Sequence, residues 1–95
     1  MNDAGREKLV AAALDGVKQV FGRLGYEEGD GLCAMAVLGV KNYLDAERVA
    51  KKYEIQINDK RSCDLCNIEG YSELGLMTHY NDHHHFDFLT IARKL

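Results

Sequence analysis

What this chain lacks narrows its reading before any motif is considered. It has no tryptophan, few aromatics, no large excess of charge of one sign and no long apolar run. The formal net charge is -3 and the basic residues are scattered, so tight electrostatic binding to phosphate backbones is not expected and nucleic acid is not the expected partner. No apolar run reaches the roughly 18–20 residues that a membrane span needs, and the N-terminus shows no basic region leading into an apolar core and a cleavage site. A soluble, cytoplasmic protein is therefore expected. Also missing is an even, regularly spaced set of cysteines. Three are present, and two of them stand only two residues apart, which suits a metal better than a secreted disulfide framework.

What is present is enough for one domain over 1–95. A chain of this length buries only roughly 60–65% of the surface its unfolded form exposes, so a metal staple or a partner would help it. The fold expected is mainly α, three to four helices, with a small zinc-bound C-terminal loop or short β segment. Residues 1–57 form the helical body, and 58–95 hold the metal-binding turn and the last helix.

Val10, Leu14, Val17, Phe21 and Leu24 recur at steps of three and four, which predicts a helix from Asp3 to Leu24 capped by Asn2 or Asp3 and stopped at Gly25. Asp30 can cap a second helix that carries Cys33, Ala36, Val37, Val40 and Leu44 inward. Asp45 restarts a short helix through Ala46, Val49, Ala50 and Tyr53, with Lys51 and Lys52 complementing the dipole at its end. Glu54 to Ile57 alternates like a brief strand, followed by a turn over 58–60. Leu74 to Tyr80 is mixed in propensity and reads either as strand or as one turn of helix. A final helix is capped by Asp87 and shows Phe88, Leu89, Ala92 and Leu95 on one face.

All the histidines lie between 79 and 85, a dozen residues beyond Cys63-Asp64-Leu65-Cys66. Cys63-x2-Cys66 followed by His79 and then His83 or His84 has the spacing of a tetrahedral Cys2His2 zinc site. A two-residue gap lets both sulfurs reach one ion, and imidazoles three to five residues apart can close the tetrahedron. His79 and His83 are neighbours on a helix, whereas His79 and His84 would straddle a turn at Asn81 and Asp82. Cys33, on an apolar helical face, reads as a small buried hydrophobe. Glu27, Glu28 and Asp30 read as a solvated loop, since no EF-hand spacing accompanies them. Asn81 and Asp82 can stabilise the turn into the last helix, and Asp82 can alternatively accept the free ring N–H of a ligand histidine.

The run from Leu76 through His79, Asn81, Asp82, His84 and Phe86 to Ile91 and Ala92, preceded by the CxxC pair, resembles a group of small bacterial and prophage-type proteins. In these a CxxC precedes an H-L-N-D-x-H-x-W-like motif and a C-terminal helix. Phe86 stands where the motif has Trp, and Asp87 where it has a capping Ser. The resemblance favours His84 over His83 as the fourth ligand and implies no activity. The expected function is a zinc-stabilised binding or adaptor domain that takes a protein partner, with a homodimer through the first helix as a further possibility. A metal-dependent hydrolase or a CxxC redox protein are the alternatives from the enzyme class.

Overall fold

A computed structural model describes residues 1–25 and 31–95. Residues 26–30, and with them the readings of Glu27, Glu28 and the Asp30 cap, lie outside the described residues. Among those described, five α-helices and one two-stranded antiparallel sheet follow in the order α1 (Asp3–Leu14), α2 (Ala34–Val37), α3 (Ala46–Lys52), β1 (Arg61–Cys63), β2 (Ile68–Tyr71), α4 (Glu73–Asp82) and α5 (Phe88–Lys94). That is one helix more than the three to four expected, and two of the helices are shorter than their apolar periodicity suggests.

The first shortening has a local cause. Asn2 caps α1 by accepting from the Gly5 amide, but the helix stops ten residues before Leu24 because Gly16 adopts a left-handed φ of 71°. The Gly16 amide then donates to the Ala13 carbonyl and the Val17 amide to the Ala12 carbonyl, closing the last turn. The same device ends α2 after four residues. Gly39 has a φ of 107°, its amide donates to Ala36, and the Val40 amide donates to Met35. Leu14 lies outside the buried face of α1 and the second stop takes Leu44 off the apolar stripe, so these residues, expected inside, are 78% and 97% exposed. The buried positions on α1 are Gly5, Leu9 and Ala12 instead.

Asp45 closes a 3-10 turn (Tyr43–Asp45) that leads into α3, and Ala46, Val49, Ala50 and Tyr53 are buried at the spacing the sequence shows. Residues 54–57 are not a strand. Glu54 takes a φ of 54° and the Ile55 amide donates to the Ala50 carbonyl, so the stretch begins by finishing α3, and the Leu74 amide meets it through a single bond to the Gln56 carbonyl rather than a strand ladder. The strands come later and bracket the cysteine pair, with Cys63 opposite Ile68 in the register.

The segment with mixed propensity is a ten-residue helix. Ser72 caps α4 by accepting from the Gly75 amide, and Glu73, Leu76, Met77, Tyr80 and Asn81 are buried at i, i+3, i+4, i+7 and i+8. Asp87 caps α5 by accepting from the Thr90 amide, and Phe88, Ile91 and Ala92 face the core. Helix α5 packs against α1, and α4 packs against α2 and the hairpin, so Leu9, Met77 and Ile91 lie fully buried at the centre. No described helix is long and apolar enough to cross a membrane.

Candidate metal centre

Two local devices bring four donors to one point. The first is the turn between β1 and β2. Its Cys66 amide donates to the Cys63 carbonyl at 3.4 Å, and Asn67 adopts a left-handed φ of 53° that returns the chain to β2. Cys63 is 1% exposed and Cys66 half-buried, and neither is in a disulfide.

The second device is the end of α4. His79 lies on the last full turn of the helix, and the chain then leaves it through a widened turn. The His84 amide donates to the His79 carbonyl, His85 takes a φ of 54°, and the Phe86 amide donates to the Tyr80 carbonyl. This path separates three adjacent histidines. His83 is exposed and stacks on His79 with ring centroids 5.0 Å apart, and His85 is exposed and stacks on Phe21. His84 instead folds back, its ring edge-on to His79.

The result is a compact donor set. One ligand atom each from Cys63, Cys66, His79 and His84 lies within 4.8 Å of all the others, close enough to hold a metal ion. His84 Nε2 is 3.4 Å from the Cys63 sulfur and 3.1 Å from the Cys66 sulfur. For metal–sulfur and metal–nitrogen bonds of about 2.3 and 2.0 Å, the edge of a tetrahedron is about 3.5 Å, so these separations match those between ligands sharing one ion. His79 Nε2 is buried with no hydrogen-bond partner among the described residues. A buried nitrogen left unpaired costs about 1–3 kcal/mol, which a cation would offset.

The titration behaviour carries the same message. Burial and then the Cys63 thiol push the Cys66 thiol above its ordinary range. Burial, with the neighbouring His84 and His83, pushes His79 below its ordinary value, which keeps the imidazole neutral. A neutral imidazole is ready to ligate, while the thiols need a positive charge between them before both can ionise. Cys33 lies elsewhere, buried on α2, and its thiol is also raised by burial, as expected of an inert core residue.

Asn81 and Asp82 do not form the turn expected of them. They end α4, and Asn81 is a buried tie between segments distant in sequence. Its Oδ1 accepts from Gln19 Nε2 at 2.8 Å and from the Ala34 amide at 3.1 Å, and its Nδ2 donates to the Val20 carbonyl at 3.0 Å. Asp82 accepts from the Gly22 amide and from Asn81, so its carboxylate is engaged with the 20–22 segment rather than with a histidine ring. Tyr71 does face a ligand ring with a polar atom, its hydroxyl lying 3.4 Å from His79 Nδ1. No motif or spacing in the sequence marks Tyr71 for this contact.

Buried Glu73 supports the site from the other end of α4. Its carboxylate meets the Met1 ammonium and, at 2.7 Å, Arg61 Nη2, while its amide donates to Asp59. These contacts hold β1, and with it Cys63, against α4. A cleft of about 510 Å³ lined by Met1, Asn2 and residues of the 50–58 segment opens on this side, away from the four donors.

No protein-family model, curated protein or solved structure matches the chain.

Proposed function

We propose that the protein is a zinc-stabilised binding domain in which Cys63, Cys66, His79 and His84 hold one structural Zn²⁺. The observation that carries this reading is the approach of both sulfurs to a single imidazole nitrogen beside a buried, unpartnered one. Two thiolates and two imidazoles in a tetrahedral set suit zinc, which imposes no geometry of its own and accepts soft and borderline donors together. Four protein ligands leave no position for a substrate or an activated water, which favours a structural ion over a hydrolytic one. The likeness of the 76–92 segment to the bacterial and prophage-type proteins is a further support for His84.

The partner we infer is a protein. From residue 59 onward Lys60, Arg61, Arg93 and Lys94 stand against Asp59, Asp64, Glu69, Glu73, Asp82 and Asp87, the wrong balance for reading a nucleic-acid backbone. Leu65 and Ile68 expose about half their surface beside the cysteine turn, where a partner would meet apolar side chains on a rigid tip.

Elemental analysis of untagged protein tests the metal assignment. Zinc at one equivalent, lost together with thermal stability on chelation, is the expected result. Protein that carries no zinc, takes up none on titration and melts unchanged with chelator would end this reading.

A further inference from the structure

We propose that Tyr71 is the positioning residue of the metal centre: its hydroxyl oxygen accepts the Nδ1–H of His79 and so commits His79 Nε2 to the ion. The proposal rests on the zinc reading above and adds a residue outside the ligand set.

The direction of this hydrogen bond follows from the chemistry of the ring. An imidazole nitrogen facing a cation must be unprotonated, so in neutral His79 the hydrogen sits on the other nitrogen and needs an acceptor. His79 is one of the four clustered donors, its Nε2 is buried and unpaired among the described residues, and its Nδ1 faces Tyr71, which leaves Nε2 for the ion. The phenol ring also lies over the imidazole, with centroids 4.8 Å apart and planes 28° from parallel, which limits rotation of the His79 ring.

The backbone is shaped to deliver this contact. Tyr71 is paired with Arg61 where the hairpin register slips between Arg61 and Ser62, and it follows Gly70, whose φ of 97° bends the strand. A bulge of this kind turns the next side chain away from the direction regular pairing would give it. The Asp82 carboxylate, the acceptor suggested by sequence position, is already engaged by the Gly22 amide and Asn81.

The test compares wild type with Tyr71→Phe, which keeps the stacked ring and removes only the oxygen. Zinc affinity is measured by competition with a chromogenic chelator, and His79 protonation by long-range ¹H–¹⁵N correlation on the zinc-loaded protein. We expect Tyr71→Phe to weaken zinc by about 10–100-fold, the usual cost of losing an outer partner of a ligand histidine. We also expect the His79 Nδ1 proton to exchange faster with water, while the metal-free forms melt together. Affinity within about twofold of wild type, well below that usual cost, with an unchanged Nδ1 signal, would overturn the role of Tyr71 and leave the zinc site intact. Wild-type protein that binds no zinc would overturn both, and it is distinguished at the first titration.

Discussion

At the scale of single residues, the centre separates chemically identical neighbours. His83 and His84 are adjacent in sequence, yet one continues the helical direction of His79 and stacks outside it, while the other reaches the sulfurs. His84→Ala and Cys66→Ser are therefore expected to weaken zinc by more than the roughly 10–100-fold typical of an outer-partner change, and His83→Ala to leave it nearly unchanged, all measured by chelator competition. Asn81 poses a different problem. Its amide satisfies a helix-start amide on α2, a carbonyl at Val20 and the Gln19 side chain at once. Asn81→Ala strands the Ala34 amide and the Val20 carbonyl in the interior, while Gln19 keeps its bond to the Phe86 carbonyl, so a loss of about 2–4 kcal/mol is expected, read as a lower denaturant midpoint with an unchanged slope.

At the scale of elements, caps decide where helices begin and end. Asp87→Ala removes the bond to the Thr90 amide and should cost about 1 kcal/mol. The Thr90 hydrogen bonds hold the Asp87 carboxyl below its usual range. A depressed folded value means that the unfolded chain binds the proton more readily, so this contribution is complete above the ordinary carboxylate pKa and is lost as pH falls through the folded one. Melting curves of wild type and Asp87→Ala should thus differ at neutral pH and converge in acid below about pH 4. Helix α5 was legible in the sequence because cap and apolar spacing agreed there, and α3 through its apolar spacing alone, since the Asp45 side chain makes no capping bond. For α1 and α2 they disagreed, and the apolar repeat ran straight through Gly16 and Gly39, each of which takes a positive φ and closes the helix. A single left-handed glycine outweighs several apolar residues of matching phase, because those residues gain nothing unless a neighbouring element covers them.

For the molecule as a whole, the ion would join a short hairpin to the end of α4, adding to the Tyr71–His79 stack and the Glu73–Arg61 pair that already connect them. A two-stranded hairpin alone is marginal in water. Chelation should therefore lower the melting temperature and remove amide protection over 61–71 and 79–86 before it affects α3, as followed by hydrogen exchange. Acidification should release the metal as thiolates and imidazoles take up protons, and the released zinc can be followed with a chromogenic chelator. Light scattering at several concentrations tests the homodimer, with twice the 10.7 kDa chain mass expected if the exposed side of α1 is covered by a second copy.

By itself the sequence determined the donor types, the two-residue gap that makes a chelating turn, and helices α3 and α5, which apolar spacing marks. Such features act over one or two helical turns, within reach of local chemistry. Only the tertiary structure decided which histidine joins the cysteines, that Tyr71 rather than Asp82 faces His79, and that Asn81 ties α2 and the 19–20 segment to α4. Helical geometry puts His83 one turn from His79, yet His83 and His84 both fall within the three-to-five-residue gap of a zinc site, so spacing along the chain cannot separate them. What separates them is where α4 stops and how the chain turns back, which depends on groups the fold brings together from opposite ends of the sequence.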